Sequence, residues 1–118
     1  MGTFVSVRGW IELDTEMVPL VRAAIASSSE SARNYESSWC FARGGFSEFV
    51  FFGCTVRAAA VPAIAQILRA IAVISVKDGE FRFYPEGIFH LAHEDGEMPG
   101  IVWAFRDGEF GQTGGTWA

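Results

Sequence analysis

The chain's two histidines, His90 and His93, lie in the stretch G-I-F-H-L-A-H-E-D, with Glu86, Glu94, Asp95 and Glu97 close by. Imidazoles and carboxylates at short range are the materials of a divalent-metal site or an acid–base pair. The spacing speaks against both. The flanking turn signals make this segment a strand, and residues three apart in a strand point to opposite faces. The two imidazoles would converge only across a bulge. The pair therefore reads as strand-end histidines beside a solvated acidic turn.

A nucleophilic site needs Cys or Ser beside a His and an orienting acid. Cys54 falls in the middle of the most apolar segment, where a thiol is inert. Most serines sit in one polar loop, and no sharp strand–turn–helix elbow presents any of them. Gly111-Gln112-Thr113-Gly114-Gly115 has the small residues of a phosphate cradle, but no helix follows to supply N-terminal amides. With Cys40 and Cys54 as its only cysteines, the chain has too few for a structural zinc site. No metal or cofactor is expected.

What remains is acidic. Glu12, Asp14 and Glu16 follow one another at the end of the first apolar segment, and Glu86, His90, His93, Glu94, Asp95 and Glu97 cluster later. Such residues form either solvated surface or a charged patch that steers a basic partner. Nine Lys plus Arg against fourteen Asp plus Glu give a net charge of −5. That balance opposes binding to a phosphate backbone, so nucleic acid is not an expected partner. No apolar run reaches the roughly 20 residues of a membrane span, because Arg57, Gln66, Arg69 and Lys77 interrupt the longest. The first residues lack a basic region followed by an apolar one, so no signal peptide is expected and the location reads as cytoplasmic.

The elements that must position these groups follow from periodicity. The 118 residues, half of them hydrophobic and eleven of them Phe, suit a single α+β domain over 1–118 that buries roughly two-thirds of its extended surface. Phe4 to Leu13 alternates, with Val5, Val7, Gly9, Ile11 and Leu13 on one face. Asp14-Thr15-Glu16 offers N-cap candidates for a helix bearing Met17, Leu20, Val21, Ala24 and Ile25 as one stripe, with Pro19 in its first turn. Residues 27–38 form a Ser-rich polar loop.

Trp39 to Ala42 is a short strand, Arg43-Gly44-Gly45 a turn, and Phe46 to Arg57 the partner strand. This last strand is apolar on both faces near its middle, so it should be central and covered on both sides. A turn at Gly44-Gly45 sets Arg43 against Phe46 and Cys40 against Phe49, and puts Cys40 and Cys54 on opposite faces. Both cysteines then read as reduced, buried thiols. A second helix carries Ile64, Ile67, Leu68 and Ile71, with Pro62 in its first turn. Val56 precedes Val61-Pro62 as Leu13 precedes Val18-Pro19, an echo of two β-α-β halves. Three Asp-Gly-Glu tripeptides, at Asp78, Asp95 and Asp107, predict a C-terminal antiparallel meander, broken at Pro85-Glu86-Gly87 and ending in a Gly-rich tail over 111–118.

The order β-α-β-β-α-β followed by further strands is ferredoxin-like with an added C-terminal hairpin, both helices on one sheet face. The other face, carrying Arg8, Trp10, Phe49 and Phe51 or their alternates, must be covered by the extension or by a second copy of the chain.

The opening F-V-S-V-R-G-W-I-E, the segment G-F-S-E-F-V-F-F-G-C-T-V-R, the Gln66-Ile67 helix and the ending W-A-F-R-D-G resemble small bacterial immunity proteins encoded beside polymorphic, contact-delivered toxins. The likeness runs over most of the chain, but no segment of it is a chemical signature. It implies a non-enzymatic protein that neutralises a cognate toxin domain by stoichiometric occlusion, and a basic toxin would suit the acidic rim. The alternative is a small ferredoxin-like dimeric enzyme or ligand-binding protein, with a pocket between sheet and helices and Arg8, His90 and Trp103 as its residues of interest.

Overall fold

The structure is a computed structural model of the 118-residue chain, describing residues 3–94, 96 and 100–114. Its elements run β1 (Phe4–Leu13), α1 (Val18–Ala26), α2 (Glu30–Arg33), β2 (Trp39–Gly44), β3 (Ser47–Arg57), α3 (Val61–Ala72), β4 (Val76–Asp78), β5 (Phe81–Phe83), β6 (Glu86–His93), β7 (Ile101–Arg106) and β8 (Glu109–Thr113). Six strands form one antiparallel sheet in the order β2-β3-β1-β6-β7-β8, and β4-β5 form a separate two-stranded sheet.

The alternation of β1 holds. Val5, Val7, Ile11 and Leu13 are buried, while Arg8, Trp10 and Glu12 are exposed. Both helices cover the face that carries the valines, and the buried residues of β1, β3, β6, β7, α1 and α3 form one continuous core. The echo between the halves is structural. Each strand passes through one turn of 3-10 helix (Thr15–Met17, Ala58–Ala60) into a helix with proline in its first turn. Proline is tolerated there because the first-turn N–H has no partner inside the helix. Asp14 caps the first of these turns, its Oδ1 accepting from the Glu16 amide at 3.1 Å. In α3 the predicted stripe is buried throughout; in α1, Leu20 departs from it and faces solvent.

Aromatic rings fill the core over two glycines. Gly9 sits opposite Phe89, and a Cβ there would fall on the Ile88 carbonyl and the Phe89 ring. Gly87 sits opposite Phe105 in the same way. Across the sheet, Trp39 meets Phe52 at 4.7 Å between ring centroids, Phe52 meets Phe89 at 6.4 Å, and Phe89 meets Phe105 at 6.5 Å. The glycines give these rings room to interdigitate at the density a core requires.

Four expectations are corrected. β3 is internal but covered on one face only: Val50, Phe52 and Val56 are buried, whereas Phe51 on the other face is 45% exposed. The extra aromatics that suggested burial on both sides belong to an open surface. The hairpin register is also shifted. Gly44 pairs with Ser47 around a Gly45-Phe46 turn, so Arg43 opposes Glu48 and Cys40 opposes Phe51. Gly45 takes the positive φ (67°) that such a turn needs at its first central residue. The slip is two residues, which preserves side-chain faces, so Cys40 and Cys54 do lie on opposite sides. They are not both buried: Cys40, on the outward face of edge strand β2, is exposed, and Cys54, on the core side of β3, is only partly covered.

The predicted meander is split. β6, β7 and β8 are consecutive, but β4-β5 stand apart as a short hairpin, since Pro85 has no N–H to continue a ladder and the chain changes direction there. The Asp107-Gly108 turn joins β7 to β8 with both residues at positive φ, as Asp-Gly predicts. The Asp95 and Glu97 part of the second Asp-Gly-Glu signal, like residues 115–118 of the Gly-rich tail, lies outside the described residues. Within the Ser-rich 27–38 stretch the chain makes two short helical turns, Glu30–Arg33 and Glu36–Ser38. Tyr35 ties it down, its hydroxyl accepting from the Arg57 amide at 3.1 Å.

Candidate functional site

Antiparallel pairing of β1 with β6 places Glu12 directly opposite Glu86. Both side chains are exposed, and like charges directly opposite in a sheet are destabilising by up to about 1 kcal/mol. The ion pairs among the described residues, Arg43–Glu48 and Arg106–Asp107, do not involve either group. Glu12 is held in place by the Ser47 hydroxyl, which donates to its Oε2 at 2.8 Å. Asp14 follows one residue past the strand end, fixed by its capping bond.

These three carboxylates line an open cleft of about 260 Å³ at the end of the sheet, floored by Leu13 and Met17 and bordered by Ser47 and Tyr84. Phe46 at the tip of the β2–β3 turn and Phe83 at the end of β5 form its remaining walls. Both phenyl rings are solvent-exposed, Phe46 completely so. Carboxylates between exposed aromatic rings are groups from which a cationic side chain can gain charge pairing and ring contact together.

The predicted acidic set is therefore divided rather than continuous. Glu12, Asp14 and Glu86 converge at one end of the sheet. Glu16 is exposed on the following turn and does not border the cleft. Glu94 lies at the opposite end of β6, where its amide donates to the Phe4 carbonyl and its Oε1 accepts from Thr55. Seven residues of strand separate Glu86 from His93, roughly 23 Å at the usual rise, so no single rim joins them. Asp95 and Glu97 lie outside the described residues.

His90 projects from the middle of the open face, opposite Arg8, whereas His93 pairs with Val5 on the core side. The two imidazoles face opposite ways, as strand parity predicts. No three His, Cys, Asp or Glu side chains come together among the described residues as a metal site requires. The set Arg8, His90 and Trp103 does not converge either. Trp103 is buried on the core face, its indole N–H donating to Gln112 Oε1 at 2.7 Å.

The part of the site hidden from sequence reasoning is aromatic. Phe46 and Phe83 looked like strand residues, and their placement beside Glu12 depends on a turn register and on the detached β4-β5 hairpin. The available signal was Gly45-Phe46 itself, since a two-residue turn exposes its second side chain.

Among the described residues no helix is long and apolar enough to cross a membrane. Compared with protein-family models, with curated proteins and with solved structures, the chain matches none.

Proposed function

We propose that this protein is a non-enzymatic immunity protein that binds a cognate toxin domain and neutralises it by occupying its active site or substrate path. The observation that carries the reading is the Glu12–Glu86 pair beside Asp14, set between Phe46 and Phe83. Two adjacent carboxylates with no ion-pair partner among the described residues gain most from a partner's Arg or Lys, and exposed rings beside them add apolar contact. The toxin surface it meets is accordingly basic, and the net charge of −5 favours fast encounter with it. The partner is a protein, not nucleic acid or membrane, and the encounter takes place in the cytoplasm.

The scaffold reads as a ferredoxin-like β-α-β-β-α-β core built from β1, α1, β2, β3, α3 and β6. The antiparallel order β2-β3-β1-β6 supports this, with β4-β5 as an insertion and β7-β8 as an extension.

The test is co-expression with the toxin domain encoded beside this chain. Cells carrying the wild-type protein should survive, and Glu12→Lys with Glu86→Lys should lose protection while leaving the fold intact by circular dichroism. Equal killing with and without the wild-type protein, or full protection by the double variant, overturns the proposal.

A further inference from the structure

The sheet face away from the helices is uncovered, and its side chains fall into rows that cross the strands. Registers between neighbouring strands align Cys40, Phe51, Trp10, Ile88, Ala104 and Gly111 in one row spanning all six strands. Every member is apolar or lacks a side chain, yet Trp10 and Phe51 are 41% and 45% exposed. Two residues along the strands on one side lie Arg8 and His90, opposite each other; two residues along on the other side lie Glu12 and Glu86. No hydrogen bond or ion pair joins the Arg8 side chain to another described residue. The face is thus an apolar band with Arg8 and His90 along one border and Glu12 and Glu86 along the other, where Arg106 of β7 continues the row beyond Glu86.

We propose that a second copy of this chain covers this face, through a two-fold axis running along the Phe51–Trp10–Ile88 row. Rotation about that axis reverses the strand direction and lays each border over the opposite one. Glu12 then meets Arg8 of the other copy, Glu86 meets His90, and the aromatic row packs against itself. The interface is isologous, so each contact occurs twice.

The geometry tolerates ordinary sheet twist. Each border stands about 6.6 Å from the axis, and an aligned packing angle of about 30° displaces it by roughly 3 Å, less than the ~4.8 Å between strands. Six strands overlapping along about 20–25 Å cover on the order of 600 Å² per copy, which meets the lower limit for a specific interface.

Other occupants fit less well. A nucleic-acid strand stacked on Trp10 and Phe51 would bring its phosphates against Glu12 and Glu86. A protein partner of one charge sign would satisfy one border and oppose the other.

This pairing shares Glu12 and Glu86 with the cleft assigned to toxin capping, but it is measured on the purified chain without toxin, so its failure leaves the capping proposal standing. Sedimentation and light scattering should give a dimer with Kd on the order of micromolar or tighter. Arg8→Glu alone and Glu12→Arg alone should each weaken it at least tenfold, and the double variant should restore it. Within one chain these positions are four residues apart on a strand, roughly 13 Å, so restoration reports contact between copies. Circular dichroism and thermal unfolding verify that each variant folds. A wild-type monomer at all concentrations, indifference to the single reversals, or no restoration in the folded double variant overturns the proposal. So does a monomer that instead binds a single-stranded oligothymidylate.

Discussion

Adding one methyl group at Gly9 and one at Gly53 should have opposite consequences, although both glycines lie in the centre of long strands and only one residue apart in register. A Cβ on Gly9 enters space held by the Ile88 backbone carbonyl and the Phe89 ring, 2.5 Å from its Cγ. Neither can yield cheaply, since the carbonyl belongs to the adjoining strand and Phe89 is fully buried among Phe52, Phe105 and Trp39. Overpacking of this kind costs roughly 1–3 kcal/mol, partly offset by the 0.5–1 kcal/mol that replacing a strand glycine returns through lower chain entropy. The net effect of Gly9→Ala is a loss of about 1 kcal/mol.

Gly53 opens onto the uncovered face, with nothing within 4 Å of a built Cβ. Gly53→Ala has only the entropic gain, so it should be neutral or up to about 1 kcal/mol more stable. For a chain this size 1 kcal/mol moves Tm by roughly 4 °C, so the two variants should differ by about 4–8 °C. Thermal and urea unfolding followed by circular dichroism and Trp fluorescence decide it. If Gly9→Ala is as stable as Gly53→Ala, the packing of Phe89 over Gly9 is wrong, and with it the β1–β6 register that places Glu12 against Glu86.

Asp14→Ala should cost about 1 kcal/mol by removing the cap on the first 3-10 turn, whereas Asp14→Asn keeps the cap and should stay within a few tenths in urea unfolding. Equal losses in the two would mean that charge, not capping, is responsible. Cys40, exposed on the edge strand, should react with a thiol reagent in the folded protein much faster than Cys54, whose Sγ is partly covered and lies 3.5 Å from the Thr55 carbonyl. Simultaneous labelling of both would contradict the assignment of these residues to different faces.

Both functional proposals draw on Glu12 and Glu86, which stand where the open face meets the terminal cleft. Asp14, Phe46 and Phe83 lie beyond that boundary, so a dimer leaves the outer part of the cleft accessible. Charge reversal at Glu86 alone, opposite His90 in the dimer and beside Asp14 in the cleft, affects both activities; reversal at Arg8 affects only self-association.

Local pattern was sufficient for the elements themselves. Two-residue alternation marked β1, three-and-four spacing marked α3, and the prolines at positions 19 and 62 marked both helix starts, because each of these is set by neighbours along the chain. Parity alone separated His90 from His93 and Cys40 from Cys54. Placement in space was another matter. Whether Phe51 is core or surface depends on how many layers cover β3, and an apolar strand residue has the same composition in either case. Whether Glu12 meets Glu86 or Glu94 depends on pairing between segments more than seventy residues apart, where a two-residue slip leaves every face unchanged and moves every neighbour. The detachment of β4-β5 and the exposure of Phe46 followed from turn geometry and from the path around Pro85. Residue types thus determined which side of the sheet each group occupies, and only the assembled sheet decided which groups stand together.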